Sequence, residues 1–325
     1  MRAGLDLGGT KIQAVIVDDD HEVLGQARVP TPTTGGPADV AAAMVGATRS
    51  ALEDGGLDPA GLQGIGVGSP GIIDERRGIV TSARNLPGWE ESFALGAALK
   101  DELGARVKIG NDVQVATDAE FRLGAGRDYD SILGVFWGTG VGGGLVLKGK
   151  PWVGRGGAGE IGHMCVKVDG ARCPCGRRGC VEAYAGRKAL EERARRAHDK
   201  GTKTDLFKIM EKRGRARPTS GVWARALDAD DALATELIDK AVEALGAGVA
   251  SAANVLDVEA IIIGGGLGVR LGEPYRERIE QAMMPHLFSD DPPPAVHLAA
   301  LGDLGGAIGA ALLIRPRPTR LRAVS

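Results

Sequence analysis

Cys173, Cys175 and Cys180 fall within one short run, CPCGRRGC, that follows His163 by ten residues. Three soft thiolates and one imidazole, with Gly and Pro bending the chain between them, are the donor set of a tetrahedral Cys3His zinc site. All four positions are then filled by protein, so the metal is structural and the segment 163–180 depends on it for its fold. Cys165 is a fourth thiol, two residues from His163 in a strand-like stretch, and reads as a buried free cysteine. Glu160 and Glu182 flank the cluster. Two carboxylates beside a metal-pinned imidazole suit a polyhydroxylated ligand, because each carboxylate accepts two hydroxyl donors. With zinc on one ring nitrogen of His163, the other faces outward in a fixed tautomer.

Two glycine-rich turns carry a second chemistry. GLDLGGTK (Gly4–Lys11) is close to a P-loop but ends Gly9-Thr10-Lys11 and runs into a strand, where that motif needs Gly-Lys-Ser/Thr at a helix start. GTGVGG (Gly138–Gly143) has G-x-G-x-x-G spacing, yet a dinucleotide-binding turn must open a helix and LVLKG is strand. A protein-kinase glycine loop does lie between strands, but its HRD and DFG companions are missing. Two matched strand–glycine–strand hairpins remain. Glycines free to take positive φ let backbone amides converge on an anion, and the pair reads as phosphate-binding. Asp6 would then hold Mg²⁺ through water, since Mg²⁺ dehydrates reluctantly. Asp112 follows Asn111 where a strand ends and a helix begins, a place where α/β proteins gather ligands. It could take a proton from an alcohol attacking phosphorus, or it could serve as an N-cap; spacing alone favours the cap.

The elements that must position these residues are legible. Residues 3–29 read as three strands joined by tight turns, followed by a Pro/Thr/Gly stretch from Pro30 to Pro37. Helical periodicity covers Ala38–Leu52 and Leu95–Leu103. GIGVGSPGIID is a buried strand entering a loop, and ARVKIGNDVQVATDAEF a strand, a polar corner and a helix. Ser131–Trp137 and Gly144–Leu147 repeat the opening device around GTGVGG. This echo predicts two similar domains facing across a cleft. Beyond it lie a charged helical stretch 187–227, a long helix Ala234–Asn254, a strand entering a glycine loop at VEAIIIGGGLG, and a small-residue helix Asp303–Ile314. The tail RPRPTRLRAVS reads as frayed.

Composition excludes several classes. The 325 residues hold 51 Gly and are 43% hydrophobic and 25% charged, ordinary globular values. Forty basic against 42 acidic residues leave a net charge of −2 and no field for nucleic acid. Between Arg187 and Arg217 stand twelve Lys/Arg against five Asp/Glu, read as a solvated helical face rather than a groove for a polyanion. No apolar run spans a membrane, and the start lacks a signal peptide. Four Cys in so long a chain are no disulfide framework, so the protein is expected to be cytoplasmic.

Over nearly its full length the chain resembles the ROK family of the actin-like ATPase superfamily. The matching segments are DLGGTK (Asp6–Lys11), SPG (Ser69–Gly71), NLPGW (Asn85–Trp89), ND (Asn111–Asp112) and GTGVGGG (Gly138–Gly144). ExGH (Glu160–His163), CxCGxxGCxE (Cys173–Glu182) and GGG (Gly264–Gly266) complete the set. The resemblance implies a two-domain α/β, ribonuclease H-like fold with a mixed five-stranded sheet in each domain and an interdomain cleft. The expected domains are 1–110 and 111–325, with the C-terminal helix crossing back to the first.

It also implies an ATP-dependent kinase of carbohydrate metabolism, most like a glycolytic glucokinase. Asp112 is then the general base on the sugar C6 hydroxyl, and Asn85, Asn111, Glu160, His163 and Glu182 bind sugar hydroxyls. Asp6, Gly8, Gly9, Thr10 and Lys11, with Gly138, Thr139, Gly140, Val141 and Gly142, flank the ATP phosphates. Gly264, Gly265 and Gly266 lie near adenosine, and zinc sits on His163, Cys173, Cys175 and Cys180. The implied partners are sugar and nucleotide, the cofactors ATP, Mg²⁺ and structural zinc, and the assembly a homodimer or homotetramer. N-acetylglucosamine, mannose or fructose as substrate, and polyphosphate as donor, stay open. ROK repressors add a DNA-binding segment in front of the shared fold; here the first strand begins at Ala3, so a repressor role is disfavoured.

Overall fold

Alternating β-branched and apolar residues build a meander of β1 (Arg2–Leu7), β2 (Lys11–Val17) and β3 (Val23–Pro30), and Gly8-Gly9-Thr10 closes its first hairpin. The computed structural model describes residues 1–83, 86–289 and 292–315. Asn85, expected as a sugar ligand, and the tail from Pro316, expected to fray, lie outside the described residues. After the meander come α1 (Pro37–Asp54), β4 (Ile65–Ser69), α2 (Leu95–Leu103), β7 (Val107–Asn111) and α3 (Asp112–Leu123), with β5 (Ile72–Asp74) and β6 (Ile79–Thr81) between β4 and α2. The segment after Ser69, expected as loop, thus carries a small hairpin. The first sheet runs β3-β2-β1-β4-β7, antiparallel along the meander and parallel from β1 through β4 to β7.

Two compact units divide the chain, one comprising Met1–Glu120 with the segment from Leu301, the other Phe121–Ala300. The sequence reading divides the chain at residue 110; here the Asn111-Asp112 corner belongs to the first unit. The C-terminal helix (Gly305–Leu312) packs on β1 and β4 of that unit. Its backbone lies so close that a Cβ on Gly4 or Gly66 would run into the carbonyl oxygens of Ala307 or Ala310.

The second unit contains β8 (Ile132–Trp137), β9 (Val141–Leu147), β10 (Lys150–Pro151) and helices α4 (Val181–Ala185), α5 (Arg187–Asp199), α6 (Leu206–Lys212), α7 (Ser220–Asp228) and α8 (Ala232–Leu256). β11 (Ala260–Gly264), α9 (Gly265–Leu271), α10 (Glu273–Met283) and β12 (Ala295–Leu298) complete it. Its sheet order, β10-β9-β8-β11-β12, repeats the first sheet's order and strand directions. The expected duplication is therefore present at the level of sheet topology.

Two local expectations need correction. The second glycine turn is shorter than GTGVGG suggests, because Val141 and Gly142 already belong to β9, paired with Trp137 and Phe136. The expected glycine loop after β11 is instead the first turn of α9: Gly265 takes φ 80 against the backbone of Trp137, and the helix begins at once. The core of this unit gathers around α8, whose Asp231 cap accepts the Ala234 N–H at 2.8 Å.

Candidate active site

In the first unit, β1 and β2 hold the opening glycine turn, and the next segment clamps it. Thr31, buried just past β3, donates its hydroxyl to the Gly8 carbonyl at 2.7 Å and its N–H to the Thr10 carbonyl at 3.2 Å. Lys11 sits 3.7 Å from Asp303, which also pairs with Arg28 at 2.8 Å. That hydrogen bond from Arg28, together with the Lys11 charge, holds the Asp303 carboxyl below the usual range. Asp6 abuts Gly306. Burial pushes its carboxyl up and the Asp303 charge adds to this, against the pull of Lys11. Asp6 and Asp303 are the two carboxylates that a divalent cation would meet here. Gly8 and Gly9 have no positive φ, and neither do Gly138, Gly140 and Gly142. The left-handed conformation expected of these glycines is thus absent, and the hairpins turn within ordinary backbone.

At the β7–α3 corner the two polar residues divide their duties. Asn111 Oδ1 accepts the N–H groups of Val113 at 3.1 Å and Gln114 at 3.0 Å, so Asn111 is the cap of α3. Asp112 is the first helical residue, its Oδ1 3.0 Å from the Val113 N–H. The cap that spacing alone assigned to Asp112 is carried by its neighbour.

In the second unit, His163, Cys173, Cys175 and Cys180 each bring one ligand atom, and all four atoms lie within 4.8 Å of one another. Zn–S bonds of ~2.3 Å at tetrahedral angles separate two sulfurs by ~3.8 Å. Cys175 Sγ and Cys180 Sγ are 3.8 Å apart, and Cys173 Sγ is 3.9 Å from His163 Nδ1. The donor set therefore fits a tetrahedral zinc ion. Burial, with the neighbouring thiols, pushes Cys173 up to about 12. Three clustered thiols hold such positions comfortably as thiolates only with a cation among them. Cys165 is exposed, not buried as expected, because its strand-like stretch makes only an isolated bridge to Cys180.

The Cys3His cluster is joined to the second glycine turn. Glu182 Oε2 accepts the Val141 N–H at 3.0 Å, while Oε1 lies 4.0 Å from Cys173 Sγ. A Cβ on Gly140 would strike that carboxylate, and one on Gly162 would strike the Val141 carbonyl. The Glu160–His163 turn is thereby seated on β9. His163 keeps Nε2 turned away from the cluster, 3.9 Å from Glu160 Oε2.

Arg187 escaped the sequence reading. Its Nη2 donates to Thr139 Oγ1 at 2.9 Å and its Nη1 to Ser220 Oγ at 3.1 Å, while its N–H reaches the Gly138 carbonyl at 3.1 Å. Burial, then the charge of Arg217, lowers its pKa. Thr31 and Asp303 were missed likewise. Gly266 lies beside Gly138, which brings the third glycine motif to the second turn.

The model of the ROK family matches residues 2–317. The chain belongs to the ROK family. Its fold is the two-domain α/β fold of actin-like ATPases. It is 33% identical over 322 residues to a glucokinase of Thermotoga maritima, 97% of each chain being covered. An N-acetyl-D-glucosamine kinase of Pectobacterium atrosepticum is 31% identical, with 96% of this chain and 98% of the relative covered. Among solved structures, a ROK glucokinase from Streptomyces griseus in complex with glucose and AMPPNP is 31% identical at a TM-score of 0.83, covering 97% of this chain and 99% of that one. No helix among the described residues of this ROK chain is long and apolar enough to cross a membrane.

Proposed function

We propose that this chain is an ATP-dependent hexokinase that transfers the γ-phosphoryl group of ATP to the C6 hydroxyl of glucose. The observation that carries the reading is the division of labour at the β7–α3 corner: Asn111 caps the helix, so the Asp112 carboxylate is not required as the cap. In the proposed reaction Asp112 accepts the hydroxyl proton as the oxygen attacks phosphorus in line, a contribution of about 10²–10⁴-fold. Positioning and charge neutralisation supply most of the rest.

Glu160 and His163, with Glu182, would bind sugar hydroxyls; Glu182 has one oxygen engaged by Val141 and the other 4.0 Å from Cys173 Sγ. Asn111 keeps its amide N–H groups for the same ligand. Lys11, Thr139 and Arg187 would face the phosphates, and Asp6 would hold Mg²⁺ through water. That ion offsets phosphate charge when bound, while zinc on His163, Cys173, Cys175 and Cys180 supplies rigidity alone.

Glucose is preferred because the Thermotoga maritima and Streptomyces griseus relatives are glucokinases. The Pectobacterium relative keeps an N-acetylated hexosamine as the second reading. A coupled assay over a hexose panel with MgATP decides between them: highest kcat/KM is expected for glucose. Turnover confined to N-acetylglucosamine would replace the substrate, and no turnover on any hexose would remove the reading.

A further inference from the structure

Cys165 is the one cysteine of the chain that brings no ligand atom to the Cys3His set. Its thiol is exposed, whereas Cys173 and Cys180 are buried and Cys175 is half-buried. The backbone nevertheless sets it opposite a ligand. Cys165 and Cys180 form an antiparallel bridge, framed by two hydrogen bonds. The Val181 N–H donates to the Met164 carbonyl at 3.0 Å, and the Val166 N–H donates to the Gly179 carbonyl at 2.8 Å. Both bonds flank the pair and neither joins it, so this is the close, non-hydrogen-bonded kind of cross-strand pair.

Residues paired in this way stand about 4.5 Å apart at Cα, with their side chains on one face of the ladder. A disulfide needs a Cα separation of roughly 4.4–6.8 Å, so the backbone already meets its first requirement. The Cys165 sulfur also lies against the facing chain: a Cβ on Gly179, the residue before Cys180, would come within 3.1 Å of Cys165 Sγ. Gly179 takes φ 77, a conformation that favours glycine and leaves that space open. An oxidant arriving from solvent meets Cys165 before the ligand sulfurs, which are less exposed and are bonded to metal in the loaded site.

We propose that Cys165 is an oxidation site for hydroperoxides, and that its oxidised sulfur is captured by Cys180 as a Cys165–Cys180 disulfide that opens the zinc set. In the first step the peroxide O–O bond breaks, one oxygen passes to Cys165 as a sulfenic acid, and water leaves with the thiol proton. The Cys180 thiolate then attacks the Cys165 sulfur. The S–S bond forms, the S–O bond breaks, and hydroxide leaves. Two sulfurs are each oxidised by one electron, and the peroxide is reduced by two. With Cys180 withdrawn, His163, Cys173 and Cys175 leave a fourth position open and release the ion. The proposal rests on the zinc reading of these four residues; the bridge itself rests on the strand pairing.

The test exposes the zinc-loaded full-length protein to hydrogen peroxide beside a chromogenic zinc chelator, comparing wild type with Cys165→Ser. Wild type is expected to release zinc about tenfold faster or more, since the variant lacks the exposed sulfur that starts the reaction. Peptide mapping without reduction should then find the Cys165 and Cys180 peptides linked, and dithiothreitol with added zinc should undo both changes. Equal release from the two proteins, a bridge confined to Cys173, Cys175 and Cys180, or no bridge at all would overturn the proposal. Zinc content before oxidation reads the metal assignment separately, because the linked peptides are sought in wild type whether or not the ion is present.

Discussion

Glu182 accepts the Val141 N–H through one carboxylate oxygen at 3.0 Å and turns the other toward Cys173 Sγ at 4.0 Å. One side chain therefore ties the Cys3His cluster to the start of β9 and to the second glycine turn. A role confined to the sugar would be felt by the sugar alone, whereas a carboxylate tied to both the cluster and the turn is expected to be felt by both proposed substrates.

Glu182→Ala is accordingly expected to raise KM for both glucose and ATP. It leaves the Val141 N–H without its partner, costing about 1–3 kcal/mol of stability. Steady-state kinetics with each substrate varied, and a denaturation curve, check this; a rise in glucose KM alone would restrict Glu182 to sugar binding.

One equivalent of zinc per chain is expected by elemental analysis, and Cys180→Ser should lose it. Binding energies of roughly 10–16 kcal/mol for structural zinc make its removal a folding event for the 163–180 segment. Chelation should therefore abolish turnover and expose the segment to protease. Full activity in a zinc-free preparation would overturn the structural role.

The β7–α3 corner yields a contrast between neighbours. Asp112→Asn should lower kcat by about 10²-fold or more while glucose affinity and melting temperature hold. Asn111→Ala should instead cost about 1 kcal/mol of stability through the lost cap. If Asp112→Asn turns over normally, another group must accept the proton.

Arg187 donates to Thr139 and Ser220 from a site where burial disfavours its charge. An approaching phosphate would relieve that cost. Arg187→Ala should raise KM for ATP about tenfold or more, with glucose affinity unmoved, and Arg187→Lys should restore only part of it. An ATP KM equal to wild type would leave the residue a purely structural tie.

The Asp231 cap predicts a pH dependence. Burial acts to raise its carboxyl, but hydrogen bonds from the Ala234 N–H, the Thr204 hydroxyl and the Asp205 N–H outweigh it and bring the pKa below the ordinary value. The stabilisation is thus present above the unfolded carboxylate pKa of about 4 and is lost as pH falls through the lower folded value. Asp231→Asn should flatten that acid limb of the stability curve; an unchanged acid limb would assign the loss to other carboxylates.

The amino-acid sequence by itself determined the short-range features. Alternation and turn residues set the strands of both meanders, and the spacing of His163, Cys173, Cys175 and Cys180 set a zinc donor group. These patterns rest on neighbours within a few residues, where chain geometry leaves little choice. Only the tertiary structure decided which polar group serves which partner. Arg187 meets Thr139 across 48 positions, and Asp303 meets Arg28 across 275, pairings that depend on how helices pack on sheets and leave no local trace. Asn111 and Asp112 are adjacent and similar in size, so spacing could not tell which of them caps the helix until backbone direction at the β7–α3 corner aimed Asn111 Oδ1 at the N–H groups of Val113 and Gln114. Cys165 shows the same limit from the other side: its neighbours read as a buried strand, yet a single isolated bridge leaves the thiol in solvent.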